Sequence, residues 1–385
     1  MTIPRTLLSI INQKLTFSNK GVVIYGARQV GKTTISNDLI NSLGVKTLTV
    51  NGDQSRFLDI LSSRDLAKIK SLTQGYEMLF VDEAQRIPEI GLTLKIIIDN
   101  IPNLKLLVTG SSSLDLASKV SEPLTGRIWT YRLYPISFLE LVNIKNRTEL
   151  DYEMEERIIF GSYPEIFSLT GESQKREYLQ NLSDAYLFRD LLEFGNIKNS
   201  SKIRDLLKLL AFQVGSQVSL TGLGNSLGMG KDTVSRYIDL LEKSYIIFRL
   251  NGLSRNLRKE VSKMDKIYFY DTGVRNILID NLKLLKDRDD TGALWENFLL
   301  VERMKLLAYR QDFASKYFWR TYTGAELDYV EEKDGKLFGF EFKSGSKTYR
   351  MPKLWKETYQ NAEYSCINRN NYLDFILDRK DIIAP

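Results

Sequence analysis

Residues 21–40 read GVVIYGARQVGKTTISNDLI. The apolar run GVVIY predicts a buried strand, and Ile35, Leu39 and Ile40 fall at helical spacing beyond a turn bounded by glycines. That turn, GARQVGKT, satisfies G-x-x-x-x-G-K-[ST] between a strand and a helix, the context in which the pattern cradles phosphate. Gly26 and Gly31 let the backbone wrap closely around an anion. The amides of Ala27, Arg28, Gln29, Val30 and Thr34 then face it together with the helix N-terminus. Lys32 neutralises the outer phosphates, and Thr33 offers a hydroxyl to Mg2+. The complete motif with both flanks sets it apart from an ordinary glycine-rich turn.

A phosphate-binding loop of this kind needs an acidic partner on a second buried strand. EMLFVDEAQ, residues 77–85, supplies it: the run MLFV reads as a parallel strand covered on both faces, ending at Asp82 and Glu83. Asp82 would orient a water ligand of Mg2+, and Glu83 would polarise the attacking water. A third strand, LKLLVTGSSS at 104–113, ends in hydroxyls. Thr109 or Ser111 there would lie at the carboxyl end of the sheet, where ligands bind, and could sense the γ-phosphate. The expected ligands are ATP and Mg2+.

Composition narrows the remaining chemistry. The 385 residues carry no histidine and one cysteine, Cys366. Ser-His-Asp and Cys-His catalysis, histidine-ligated metals, cysteine zinc sites and intrachain disulfides are therefore excluded. The work falls to carboxylates, lysine, arginine, backbone amides and oxygen-bound cations. A formal charge of +6 and a pI near 9.0 favour a polyanionic partner. With no apolar run approaching membrane length and no signal-peptide pattern at the start, a soluble cytoplasmic protein with no membrane partner is expected.

Together the three motifs resemble the AAA-type branch of P-loop ATPases. SEPLTGRIWTYRLYPISFLEL at 121–141 is similar to one bacterial and archaeal AAA family. The resemblance implies that Arg127 is an arginine finger reaching the nucleotide of a neighbouring subunit in a homo-oligomer; a surface arginine is the other reading. GSYPE at 161–165 resembles an element that packs near the nucleotide base, which would make Gly161 and Pro164 contacts; a helix-to-helix turn explains them equally.

A helical pattern from about 150 to 200 reads as a lid over the nucleotide, closed by Gly195 as a C-cap. The next stretch looks like a winged helix-turn-helix. Lys231, Thr233, Ser235 and Arg236 lie off the apolar stripe of its second helix, as DNA contacts would. RLNGLSRNLRKEVSKMDK at 249–266 adds Arg255, Arg258 and Lys259 where a wing would lie. Packing of this unit on the lid or on a partner is the alternative.

The last stretch begins with a helix, ALWENFLLVERMKLLAY at 293–309, and continues as strands YFWRTYT, AELDYVEE and KLFGFEFKSG. Helix, strand aspartate, then Glu-x-Lys resembles the PD-(D/E)xK fold of restriction endonucleases and Holliday-junction resolvases. The resemblance implies that Asp328, Glu341 and Lys343 are catalytic and that Glu296, Asp328 and Glu341 hold Mg2+ or Mn2+. Glu326 stands two residues before Asp328, where the family name has proline, and would crowd the metal or serve as a third acid. Inert nuclease-like domains also occur on ATPases.

The whole chain thus resembles prokaryotic AAA-type ATPases fused to a C-terminal domain of unknown function with nuclease-like features. The implied architecture is α/β and multidomain. It comprises an AAA-type P-loop domain with a parallel sheet (1–140), a helical lid (141–200), a winged helix-turn-helix (201–284) and a PD-(D/E)xK-like α/β domain (285–385). The expected function is a Mg2+-dependent ATPase that binds DNA, with ATP controlling binding, remodelling or cleavage. The alternative is an ATP-gated switch whose nuclease-like domain is inert.

Overall fold

The computed structural model describes residues 3–110, 124–187, 200–254 and 264–377. They form two compact units, one lying within residues 2–135 with 243–245 and the other within residues 136–242 with 246–385. Among the expected positions, Ser111, Gly195, Arg255, Arg258 and Lys259 lie outside the described residues.

The first unit is built on a parallel sheet in the order β2-β3-β4-β1-β5, where β1 is Gly21–Tyr25, β2 Thr47–Asn51, β3 Met78–Asp82, β4 Lys105–Gly110 and β5 Ile128–Arg132. β1 and β3 are buried along their whole length and β4 along nearly all of it, which is why their sequences are continuous apolar runs with no alternation. β2, at one edge, is mostly half-buried and accordingly carries Thr47, Thr49 and Asn51. Parallel pairing brings the carboxyl ends of β1, β3 and β4 to one rim, and the helix Lys32–Leu43 starts there. This helix turns Ile35 and Leu39 into the core and leaves Thr33 and Thr34 exposed.

The second unit opens with the helices Phe138–Leu141, Arg147–Phe160 and Glu172–Asn181. Ser200–Phe212, Leu220–Leu227 and Lys231–Lys243 follow, the last burying Val234, Tyr237, Ile238, Leu240 and Leu241 on one face. Two antiparallel strands come next, β6 (Ile247–Gly252) and β7 (Lys266–Phe269). After the helix Thr291–Tyr309 come β8 (Ser315–Arg320), β9 (Glu326–Lys333), β10 (Lys336–Phe342) and β11 (Glu363–Ile367). All six strands join one sheet in the order β11-β10-β9-β8-β6-β7. That sheet crosses the domain boundary expected near residue 285, because Asn251 and Gly252 pair in parallel with Tyr317 and Phe318.

Buried polar groups pin the long helix to this sheet and to the helix Phe138–Leu141. Asn297 accepts from the Phe269 amide and donates to the Phe269 carbonyl, both at 2.8 Å. Glu302 accepts from the Phe138 amide at 2.7 Å and from Lys305 at 2.7 Å. Trp319, Leu327, Val330 and Trp355 form a core on the sheet.

Candidate active site

The P-loop turn is shaped by its own backbone and by contacts with Leu133 and Arg5. Gly31 has φ +95°, and Gln29, with a side chain, has φ 60°, so two left-handed residues within three positions curl the backbone inward. Gly26 is needed for a second reason: a Cβ there would stand 2.4 Å from the Leu133 carbonyl oxygen, since the chain leaving β5 returns to bond Tyr25. Arg5 clamps the loop from outside, donating to the carbonyls of Val30 at 2.8 Å and Tyr134 at 2.6 Å. Nothing in the local sequence around Arg5 signals this role.

Within the loop, Lys32 is 5% exposed and donates to the carbonyls of Gly26 (3.1 Å) and Ala27 (2.9 Å). Thr33 donates to Asp82 Oδ2 at 3.0 Å, joining the helix start to the end of β3. Thr109 is fully buried and donates to the other oxygen, Asp82 Oδ1, while accepting from the Glu83 amide at 3.2 Å. Thr109 thus orients Asp82 and Glu83 from behind.

Glu83 itself has φ 52°, a conformation that costs energy for a residue with a side chain and is typical of functional positions. Gly52 makes room for it: a Cβ at Gly52 would meet the Glu83 carbonyl oxygen at 2.4 Å. Gln85 donates its side-chain amide to the Glu83 carboxylate. Sequence reasoning passed over both Gly52 and Gln85, although Gln85 closes the quoted DEAQ stretch. A threonine hydroxyl beside an aspartate, on a phosphate-cradling loop, is a hard oxygen donor set that fits Mg2+.

Arg127 lies just ahead of β5, where its carbonyl accepts from the amide of Gly21, the first residue of β1. The P-loop follows the last residue of β1, so Arg127 is at the opposite rim of the sheet. Its guanidinium pairs with Asp99, at 2.7 and 3.2 Å, which raises its pKa above the ordinary arginine range. Gly161 and Pro164 belong to the second unit. Gly161 has φ +76° and lies against Asp271, whose carboxylate would sit 2.0 Å from an added Cβ and accepts from the Ser162 amide at 2.7 Å. Pro164 opens the short 3-10 helix Pro164–Ser168.

In the second unit, the strands and the long helix assemble the expected carboxylates. Asp328 accepts from the Phe342 amide at 2.7 Å, which ties β9 to the end of β10. Glu341 and Lys343, two apart, form an ion pair at 2.5 Å. Burial and the neighbouring Asp328 push the Glu341 carboxyl above its usual range; burial likewise raises Asp328. Burial works against the charge of Lys343, but the adjoining Glu341 raises its pKa.

A residue the sequence did not flag enters this cluster. Lys266, at the start of β7 and 3% exposed, donates to Glu296 at 3.2 Å and to Glu326 at 3.0 Å. Tyr268 donates to the same Glu296 oxygen. Burial opposes the Lys266 charge, yet Glu296, Glu326 and Asp328 hold the ammonium protonated above the ordinary lysine range. Among the described residues no group of three or more His, Cys, Asp or Glu side chains is arranged to hold a metal ion. Of the expected ligands Glu296, Asp328 and Glu341, Glu296 is turned to Lys266 and Tyr268. Glu296, Asp328 and Glu341 as arranged are thus not a common three-carboxylate ligand set.

The comparisons with known proteins agree with the P-loop reading of the first unit. Residues 18–142 match the family model described as AAA domain. An AAA domain with a parallel central sheet therefore opens a mixed α/β protein. Residues 151–285 and 291–382 match two domains of unknown function, DUF8612 and DUF4143.

An uncharacterized protein of Mycobacterium tuberculosis is 30% identical over 331 residues, which cover 84% of this chain and 70% of that protein. The chain belongs to the family of this mycobacterial protein. An uncharacterized protein of Methanocaldococcus jannaschii is 27% identical over 303 residues, covering 74% of this chain and 66% of that protein. Among solved structures, the Walker-type ATPase of Pyrococcus abyssi is 15% identical, with 72% of this chain and 96% of that chain covered and a TM-score of 0.46. No helix among the described residues is long and apolar enough to cross a membrane.

Proposed function

We propose that this protein is a Mg2+-dependent ATPase in which nucleotide state controls DNA binding by the second unit. The observation that carries the ATPase reading is the chain of contacts from Thr33 through Asp82 to Thr109 and the Glu83 amide. It sets a metal-ligating hydroxyl, an acidic acceptor and a strained glutamate on one rim of the sheet. Bound Mg2+ would be held by Thr33 and, through water, by Asp82, and would offset charge on the β- and γ-phosphates. Lys32 would exchange the Gly26 and Ala27 carbonyls for phosphate oxygens. Glu83, held by Gln85, would accept a proton from the attacking water.

For DNA binding the support is the helix Lys231–Lys243. Its apolar face is buried, Lys231 and Arg236 are exposed, and Thr233 and Ser235 are half-buried. With the two preceding helices and the antiparallel pair β6–β7 it suits a winged helix. Arg127 is too far from its own P-loop to serve it, so as a finger it would act on a neighbouring subunit. A reading without DNA cleavage is favoured by the engagement of Glu296 with Lys266.

Phosphate release measured with Mg2+ tests the first claim. Lys32→Ala and Glu83→Gln should each lower kcat by at least about 100-fold, the scale of losing one charge-stabilising group. Glu83→Gln should still bind nucleotide. Turnover equal to wild type in either variant refutes the assignment. For the second claim, Lys231→Ala and Arg236→Ala should each flatten the salt dependence of DNA binding by a slope of about 0.9.

A further inference from the structure

We propose that Lys266 is the built-in cation of the C-terminal carboxylate cluster, and that the cluster consequently takes up no divalent ion. β7 supplies Lys266 and Tyr268 two residues apart, hence on one face, and both donate to Glu296 Oε1. Lys266 also reaches Glu326 at 3.0 Å, and Glu326 receives Arg320 from its other side at 3.6 Å. The second ammonium, Lys343, holds Glu341 at 2.5 Å. Glu296, Glu326 and Glu341 therefore each have a cationic partner supplied by the fold, and Lys266 acts on Asp328 as well.

The ammonium is also prevented from withdrawing. Its strand is clamped to the helix bearing Glu296 by the paired bonds between Asn297 and Phe269, one residue from Glu296 and one from Tyr268. The Lys266 ammonium lies over the Phe318 ring at 5.4 Å, and its backbone is bracketed by Leu250 on β6 and by a bridge to Gln217. A divalent ion drawing on Glu296 would sit beside a buried like charge. The residues of a nuclease-type centre are present, and a lysine from outside the matching C-terminal segment, residues 291–382, supplies the charge that a metal would.

Mn2+ binding to the full chain, followed by electron paramagnetic resonance without nucleotide and in an Asp82→Asn background, tests this. With Lys266 present, no stoichiometric Mn2+ site is expected, and Asp328→Asn should change nothing. Lys266→Met should create a site at least tenfold tighter than any residual binding, and Asp328→Asn should abolish it. A stoichiometric site in the Lys266-containing protein that Asp328→Asn removes overturns the proposal, as does a folded Lys266→Met protein that gains no site. If Lys266→Met does not fold, the Asp328→Asn comparison alone decides. The Asp82→Asn background separates this result from the ATPase reading, whose failure would show only in nucleotide turnover.

Discussion

Two buried lysines, one in each unit, show what decides whether a charge is available for work. Lys32 and Lys266 are both nearly inaccessible, at 5% and 3% exposure. Lys32 donates to the neutral carbonyls of Gly26 and Ala27, bonds that phosphate oxygens can replace with a net electrostatic gain. Lys266 faces Glu296 and Glu326, so its charge is already balanced and an incoming anion gains little. The same residue type thus serves ligand capture in one place and internal neutralisation in the other, and the difference lies in the acceptors.

The sharpest way to break this comparison is to remove each lysine and measure stability by urea denaturation at pH 8. Lys266→Met should cost about 3–5 kcal/mol, because it strands buried carboxylates. Lys32→Ala should cost only about 1 kcal/mol, since carbonyls readily accept water instead. Equal losses would erase the distinction.

A smaller effect concerns pH. Burial, opposed by Lys266 and assisted by Asp328, pushes the Glu296 carboxyl from its ordinary 4.5 up to about 7. Its folded-state pKa is raised, so the folded chain binds the extra proton between these values. The associated stability is fully present below pH 4.5 and is lost as pH rises through 7. Between pH 5 and pH 8 the wild type should lose about 2 kcal/mol more than Glu296→Gln, as read from urea midpoints.

The smallest effect sharpens the other side of the comparison. Gln85→Ala should lower kcat about tenfold with KM for ATP nearly unchanged, because Gln85 donates to Glu83 and acts through it. Gln85→Glu should fare worse, as it sets a second negative charge beside Glu83.

Legibility differed between the units for a physical reason. The P-loop motif and the acidic pair Asp82 and Glu83 stand in short contiguous stretches at the ends of strands, which is why the sequence locates them. Thr109 was singled out for its place at the end of β4, yet its hydroxyl is spent on Asp82 and the Glu83 amide. Only the register of β3 beside β4 reveals that. For Gly161 the sequence allows a nucleotide contact and a helix-to-helix turn equally, and its nearest neighbour is Asp271, 110 residues further along. Arg5 and Gly52 act through contacts with the distant carbonyls of Val30, Tyr134 and Glu83, which no local pattern encodes.

By itself, the sequence determined the parallel-sheet nucleotide fold, the identity of its phosphate-binding loop and the exclusion of histidine chemistry and intrachain disulfides, since these follow from composition and contiguous motifs. It also marked Asp328, Glu341 and Lys343 as a related set. Tertiary structure alone decided what that set faces. Lys266 precedes Asp328 by 62 residues and reaches the cluster only because β6 pairs with β8 and carries β7 into the same sheet. Whether carboxylates await a metal or already hold their counter-charge depends on which side chain the sheet brings opposite them, and strand order across a sheet is set by long-range packing.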